Sequence, residues 1–243
     1  VAAECGKAVS KETKVDILVT PLVTILTGVA LSALIAPAIG TAASSVGTFV
    51  EWATVLQPFW MGILVSVVVG MALTLPISSA AICAALGLTG LAGGAAVAGC
   101  CAQMVGFAVM SFRENRWGGL VSQGLGTSML QMGNIVKNPK IWIPPILTSA
   151  ITGPLATCLF HFQMNDPSGG VASGMGTCGM VGPIGVYAGW VNDVTMGVKE
   201  AITGMDYLAM ALICLVLPAV LTWLFGLLFR KLGWIREQDL KLD

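Results

Sequence analysis

Charged residues are scarce in this sequence. Of 243 residues, 12 are basic and 12 are acidic, so 10% are charged and the net charge is +0. A soluble domain of this size is about a quarter charged. Between Asp16 and Arg113 the one formal charge is Glu51. The shortage of charge excludes a soluble domain and predicts an all-α integral membrane protein. Because the net charge is zero, electrostatic attraction does not favour nucleic acid as a partner.

Residues that usually carry catalysis or bind metals are also scarce. Histidine occurs once, at His161, and a lone histidine is more often structural than catalytic. The seven cysteines are scattered without a CxxC or Cys/His pattern, which argues against a metal site or a disulfide. The sequence contains no GxxxxGKS or GxxxxGKT segment and no Ser/His/Asp set. We therefore predict no catalytic residue, no metal and no cofactor for this chain.

Long apolar runs are abundant and predict a polytopic helical bundle. Five runs approach the roughly 20 residues that a bilayer span requires: 15–38, 59–75, 91–112, 141–160 and 207–229. Residues 41–55 are too polar and too short for a span and suit an interfacial or pore-lining helix. The glycines and prolines of 76–94 and 161–185 predict broken or re-entrant helices, the second as a packed Gly-rich hairpin loop.

The whole chain, residues 1–243, is expected to be one transmembrane domain with a polar segment at 1–14. Because the chain lacks an initiator methionine, we expect residues to be missing upstream. Basic residues flank the first and last spans, which predicts two cytoplasmic ends and an even number of crossings. These residues are Lys7, Lys11, Lys14, Arg230, Lys231 and Arg236. With five clear spans and at least two broken ones, the number of crossings stays open.

A polar island at residues 112–145 interrupts the apolar chain. If 119–136 is one helix, four uncharged polar residues share one face: Gln123, Thr127, Gln131 and Asn134. At membrane depth such groups need water, protein or a ligand as hydrogen-bond partners. Two interpretations stay open, a solute-binding face or amide hydrogen bonds between packed helices, and we favour the solute.

Three more residues of the island are candidates for binding a solute. Glu114 lies between Arg113 and Arg116, and it is either part of a solvated loop ion pair or a carboxylate that accepts hydrogen bonds from a polyol. Asn115 is adjacent and can share that role, and Asn138 precedes a proline at a step that disfavours helix. Neutral amides with one carboxylate suit a neutral polar solute, whereas an anion would need clustered Arg or Lys.

Several segments resemble one family of membrane proteins. NPKIWIPPIL at 138–147 resembles the Asn-Pro-Lys…Ile-Pro segment of the membrane subunits IIC of the bacterial phosphotransferase system. SGMGTCGMVGPIG at 173–185 resembles the Gly-rich loop of those subunits. The run at 56–79, with GLTGLAGGAA at 87–96, is similar to the PfoR-like branch of IIC-like proteins, labelled after a toxin-gene regulator. The resemblance extends over residues 15–234.

The resemblance implies a homodimeric sugar transporter in the bacterial cytoplasmic (inner) membrane, surrounded by lipid. It implies that a sugar binds at a midplane site near a re-entrant hairpin and crosses by alternating access. Separate IIA and IIB carrier proteins would phosphorylate the sugar, and the IIC subunit would supply binding and access. Relatives place an acidic residue and a histidine at the sugar, and the candidates here are Glu114 and His161.

Two other functions stay open for the same fold. One is a transporter that carries its solute without phosphorylation, which uptake in the absence of a phosphoryl donor would reveal. The other is a solute-sensing membrane regulator of gene expression, which would bind its solute without flux and dock a partner at the basic end, residues 230–241.

Overall fold

The computed structural model describes residues 2–10, 16–165 and 170–242. No strand occurs in these ranges, and Gly90 and Met164 form an isolated antiparallel bridge. Three helical segments are apolar and long enough to cross a membrane: Gly90–Met110, Pro139–Leu159 and Gly204–Lys231. The prediction of an all-α membrane protein is therefore confirmed. Lys11, Lys14 and residues 166–169 of the Gly-rich loop lie outside the described residues.

The helices follow one another along the chain with short connections. They are α1 (Ala2–Val9), α2 (Asp16–Leu56), α3 (Pro58–Thr74), α4 (Ser79–Leu86), α5 (Gly90–Met110), α6 (Phe112–Val121), α7 (Met132–Lys137), α8 (Ile143–Pro154), α9 (Val181–Thr195), α10 (Gly204–Ala211) and α11 (Leu217–Lys231). Single turns of 3-10 or π-helix extend or join several of them. The chain divides into two compact units, residues 1–45 and 46–243, and the sites described below lie in the second.

The first apolar run does not end near Pro37, because α2 continues as one helix of 41 residues to Leu56. Residues 41–55 are therefore helical, as a continuation of α2, and their interfacial or pore-lining position stays a prediction. The hydroxyl of Thr41 donates to the carbonyl of Pro37 at 3.1 Å, and that of Ser45 donates to Thr41 at 2.8 Å. These hydroxyl groups find acceptors within their own helix, so the polar composition does not require the helix to stop.

The last part of α2 is joined to the start of α5 by a carboxylate. Glu51 Oε1 accepts hydrogen bonds from the backbone N–H of Thr89 at 2.9 Å and from its hydroxyl at 2.7 Å. Thr89 is the N-cap of α5, where a negative charge also interacts favourably with the helix dipole. Glu51, the one charged residue between Asp16 and Arg113, is therefore hydrogen-bonded within the protein.

We expect Glu51→Ala to lower the free energy of unfolding by about 2 kcal/mol, because two hydrogen bonds to a charged acceptor are lost. Chemical unfolding of the purified protein in detergent, followed by circular dichroism, measures this change. Glu200→Ala is the matched control, since Glu200 is exposed. Equal stability of the two variants would contradict the stabilising role of the hydrogen bonds between Glu51 and Thr89.

Helix α5 is the centre of the second unit and is buried along almost its whole length. Its many glycines and alanines allow neighbouring helices to approach closely. A Cβ at Gly99 would overlap the backbone carbonyl of Ser66 in α3, and a Cβ at Gly106 would press against Thr222 in α11. Helix α8 also packs against α5. Close packing of small residues therefore places three helices around α5.

The described residues of both segments that were predicted to be irregular contact other parts of the protein. Helix α4 ends at Leu86, its C-cap Gly87 has a left-handed φ of +63°, and α5 begins at Gly90. Ser79 at the start of α4 donates its hydroxyl to the carbonyl of Gly174 at 2.7 Å, and Gly176 lies against Cys100 of α5. Broken backbone at membrane depth is tolerated where protein surrounds it, and the described part of the Gly-rich loop meets that condition.

Candidate functional site

A polar cavity of about 370 Å³ lies beyond the C-terminal end of α5. Its volume is within the range of about 300–1,000 Å³ that is usual for small-molecule sites. The lining residues come from the start of α6, the end of α11 and the segment after α11: Arg113, Glu114, Arg230, Glu237, Gln238 and Lys241. The cavity therefore brings together the polar island and the basic C-terminal region, which are more than a hundred residues apart in the sequence.

A buried ion pair forms one wall of this cavity. Glu114 Oε1 lies 2.8 Å from Arg230 Nη2, and the two side chains are only 8% and 14% exposed. The same Arg230 nitrogen donates to the carbonyl of Met110 at 3.2 Å. Glu114 Oε2 is buried and has no hydrogen-bond partner among the described residues. The pair therefore leaves one buried carboxylate oxygen without a partner, while Arg230 holds the side chain in place.

The amides predicted to share one face do form a continuous hydrogen-bonded chain. Gln123 Nε2 donates to the hydroxyl of Ser111 at 2.8 Å, and Gln131 Nε2 donates to Gln123 Oε1 at 2.9 Å. Asn134 Nδ2 continues the chain by donating to Gln131 Oε1 at 2.9 Å. The chain starts just after α5 and lies within the polar island, so these residues are at one end of the central span and not at its middle.

The single helix expected over 119–136 is not present. Helix α6 ends at Val121, a π-helical turn follows at Ser122–Gly126, Thr127 is extended, and a 3-10 turn at Ser128–Gln131 leads into α7. Glycines at positions 124 and 126 weaken helix formation there. The prediction of one helix was wrong, although three of the four residues on its expected face still meet.

The segment that follows α11, residues 233–242 and here named the C-terminal strap, supplies the outer partners of these amides. Asn115 Nδ2 donates to the carbonyl of Leu240 at 2.7 Å, and Gln131 Nε2 donates to the same carbonyl at 3.0 Å. The backbone N–H of Leu242 donates to Asn115 Oδ1 at 2.8 Å. Asn115 is therefore paired with the strap in both directions.

Two further asparagines hold the strap from α7 and the turn after it. Asn134 Nδ2 donates to the carbonyl of Lys241 at 2.8 Å. Asn138 Nδ2 donates to the carbonyl of Trp234 at 3.1 Å and to Asp239 Oδ2 at 2.7 Å. Four of the five predicted amides, Asn115, Gln131, Asn134 and Asn138, thus donate to the strap. Gln123 donates instead to Ser111 and to the carbonyl of Gly119.

Thr127 and His161 do not join this group. The hydroxyl of Thr127 accepts from the backbone N–H of Met129 and caps the following turn. His161 lies near the start of α5, beside the Gly90–Met164 bridge, and lines a separate cavity of about 320 Å³ with Trp190, Asp193 and Lys199 among others. Since α5 has 21 residues and rises 1.5 Å per residue, about 30 Å separates its two ends. Glu114 and His161 therefore belong to different cavities.

Two groups near the site were not among the sequence candidates. Arg230 was used for topology and as part of a basic end that could dock a partner, and not as a solute-site residue. Its pairing with Glu114 joins residues that are too distant in sequence for any spacing rule. Gln103 is the one side-chain amide of the 91–112 run, a signal that could have identified it. Its Oε1 accepts from Trp142 Nε1 at 3.0 Å and from Thr74 Oγ1 at 3.3 Å, and its buried Nε2 has no partner among the described residues.

We expect Trp142→Phe to lower the free energy of unfolding by about 1 kcal/mol, because the fully buried Gln103 loses its best hydrogen-bond donor. Detergent unfolding curves measure the difference. Trp223→Phe serves as the control, since Trp223 is 49% exposed. A cost no larger at position 142 than at position 223 would argue against this role of the indole N–H.

No group of three or more His, Cys, Asp and Glu side chains within the described ranges could hold a metal ion.

Comparison with known families places the chain in one of them. A family model described as "Phosphotransferase system, EIIC" matches residues 1–242. Comparisons with curated proteins and with solved structures found no match. The family predicted from the sequence is therefore confirmed, while the PfoR-like branch stays a prediction. The chain belongs to the phosphotransferase system EIIC family and is a multi-pass membrane transport component of that type.

Proposed function

We propose that the protein binds a small neutral polar solute, a sugar, in the Glu114 cavity and passes it across the bacterial cytoplasmic membrane by alternating access. The family supports a sugar as substrate and IIA and IIB proteins as partners. The geometry favours a different position from the midplane site that the resemblance implied, since the cavity lies beyond one end of α5.

The observation that carries this proposal is the free oxygen of Glu114 beside Arg230. An ionised carboxylate accepts hydrogen bonds from hydroxyl groups, and a neighbouring guanidinium donates hydrogen bonds to hydroxyl or ring oxygens. Because Glu114 and Arg230 are already paired with each other, a neutral solute can bind beside them without adding a charge to a largely buried site. The other charged residues of the lining are Arg113, Glu237 and Lys241, so the lining has one more basic than acidic residue, and the screen therefore includes sugar acids.

Phosphorylation is assigned to separate IIA and IIB proteins, and this subunit supplies binding and access. The broken segments at α4 and at 170–180 support a moving element, because interrupted helices can shift against a rigid scaffold. Exposed apolar side chains on α3 and α11, such as Val68 and Leu224, suit contact with membrane lipid. A homodimer would provide the scaffold.

A thermal-shift screen of the purified protein in detergent tests the substrate. The panel contains neutral hexoses, N-acetylhexosamines, hexitols, sugar acids, amino acids and nucleosides. A compound at about 100 times its dissociation constant stabilises the folded state by about 2.7 kcal/mol if it binds that state alone. We expect a neutral sugar or hexitol to raise the transition temperature, and Glu114→Gln to abolish the shift.

Glu200→Gln is the matched control, because it removes an exposed carboxylate and should leave the shift intact. Stabilisation by sugar acids but not by neutral sugars would overturn the assignment of a neutral solute. An undiminished shift in Glu114→Gln, in a variant that elutes as a single folded species, would overturn the assignment of the cavity. Uptake of the sugar into proteoliposomes would then separate a transporter from a solute-sensing regulator.

A further inference from the structure

The C-terminal strap is held by side-chain amides and by two apolar anchors. Ile235 and Leu240 are buried in one cluster with residues of α5, α7 and α11. Most of the strap between and beside these anchors is exposed. The polar hold consists of the amide donors of Asn115, Gln131, Asn134 and Asn138 and of the backbone N–H of Leu242, which donates to Asn115, without a salt bridge between the strap and the described body. All of these bonds except the one to the Asp239 carboxylate join neutral groups, and neutral hydrogen bonds can be exchanged for others of similar strength.

Backbone geometry at two points suits a movable segment. Helix α11 ends at Lys231, and Gly233 immediately after it has φ +72°, a conformation in which glycine is unstrained. Gln238, near the middle of the strap, has φ +73°, which is rare for a residue with a side chain and marks local strain. The strap thus begins at a glycine turn and contains one strained residue that would relax if the strap moved.

The strap also forms half of the Glu114 cavity. Glu237, Gln238 and Lys241 line it together with Arg113, Glu114 and Arg230 of the body. Gln238 and Lys241 also line a second cavity of about 280 Å³ beside Asn134 and Asn138. The strap therefore borders both cavities, and its displacement would open both of them.

We propose that the C-terminal strap is a lid on the solute site, and that its backbone carbonyls occupy the amide donors that the solute uses when the lid opens. This inference rests on the proposed function. Carbonyls of Leu240 and Lys241 present to Asn115, Gln131 and Asn134 the same acceptor chemistry as the hydroxyl and ring oxygens of a sugar. Opening the lid frees these donors, and the first of them, Asn115, directly follows Glu114 in the sequence. The amides predicted to bind solute therefore bind the lid in the closed state.

The lid is tested by the reactivity of a cysteine beneath it. Ser111 is fully buried at the inner end of the amide chain, and Ser111→Cys keeps the side chain small. The rate of its modification by N-ethylmaleimide, read peptide by peptide with mass spectrometry, reports how often the site opens. In this background Asn134→Ser with Asn138→Ser removes three hydrogen bonds to the strap, and Asn192→Ser in α9 removes an amide elsewhere.

We expect the double variant to raise the labelling rate at position 111 at least about tenfold, and Asn192→Ser to leave it unchanged. An unchanged rate in the double variant, or an equal rise in Asn192→Ser, would overturn the lid whatever the sugar screen finds. A raised rate with no sugar bound from the panel would support the lid and refute the proposed solute. If a sugar binds, saturating the protein with it should raise the deuterium uptake of the backbone at residues 239–242. Slower uptake would contradict the proposal that the sugar replaces the strap carbonyls as acceptors of the amide hydrogen bonds.

Discussion

Replacing Gly99 by alanine is expected to lower the free energy of unfolding by about 3 kcal/mol, because no flexible side chain can give way. The added Cβ would overlap the backbone carbonyl of Ser66, and the carbonyl of Gly99 itself lies against Gly70 of α3. Helices α3 and α5 must then move apart along their whole contact, which is the penalty of overpacking a close-packed interior. Chemical unfolding in detergent measures it, with helix content as the signal.

Gly133→Ala is the control for this prediction. Gly133 lies in α7, and a Cβ there would have no atom within 4 Å. Alanine is a better helix former than glycine by up to about 1 kcal/mol, so this variant should be as stable as the unchanged protein or slightly more stable. If Gly99→Ala cost no more than Gly133→Ala, the close approach of α3 and α5 would not be the feature that holds the bundle together.

Removing Glu114 is expected to cost about 3–5 kcal/mol of folding stability, because Arg230 would keep its charge in a largely buried position without a partner. Glu114→Ala should therefore unfold at a clearly lower denaturant concentration. Combining it with Arg230→Met should recover most of the loss, because the second change removes the unpaired charge and leaves an apolar side chain of similar length. A double variant less stable than Glu114→Ala alone would contradict this account.

Lys199→Ala supplies the comparison with a more exposed ion pair. Lys199 and Asp206 lie 2.6 Å apart, but their side chains are 27% and 23% exposed. Solvent screens such a pair, so its loss should cost about 1 kcal/mol. If Lys199→Ala destabilised the protein as much as Glu114→Ala, burial would not explain the strength of the Glu114–Arg230 pair.

The polar island shows how far the sequence could predict the site. Spacing along an assumed helix grouped Gln123, Gln131 and Asn134, and these three are joined by hydrogen bonds in the structure. The assumed helix itself is interrupted at Thr127 by a π-turn, an extended residue and a 3-10 turn. The three residues still meet because the irregular turns together bring Gln131 back beside Gln123. Sequence periodicity cannot predict this outcome.

The partners of the amides were beyond the reach of any sequence pattern. Asn115, Gln131 and Asn134 donate to backbone carbonyls of Leu240 and Lys241, and a backbone carbonyl is present at every residue. Side-chain identity therefore contains no signal for such a pairing. For Gln131 and Asn134 the alternative to a solute was a hydrogen bond between packed helices, and in this structure both donate to the strap, which is not a helix.

The sequence by itself determined the class of protein and the places where polar groups interrupt it. Hydrophobicity and charge are properties of each residue and add up along the chain, so the scarcity of charge and the apolar runs predicted a helical membrane protein without any knowledge of contacts. The tertiary structure decided which polar groups meet. Pairing Glu114 with Arg230, and separating both from His161, depends on how α5 directs the chain between two ends about 30 Å apart. Such distances arise from the packing of the helices and cannot be obtained by adding up properties of single residues.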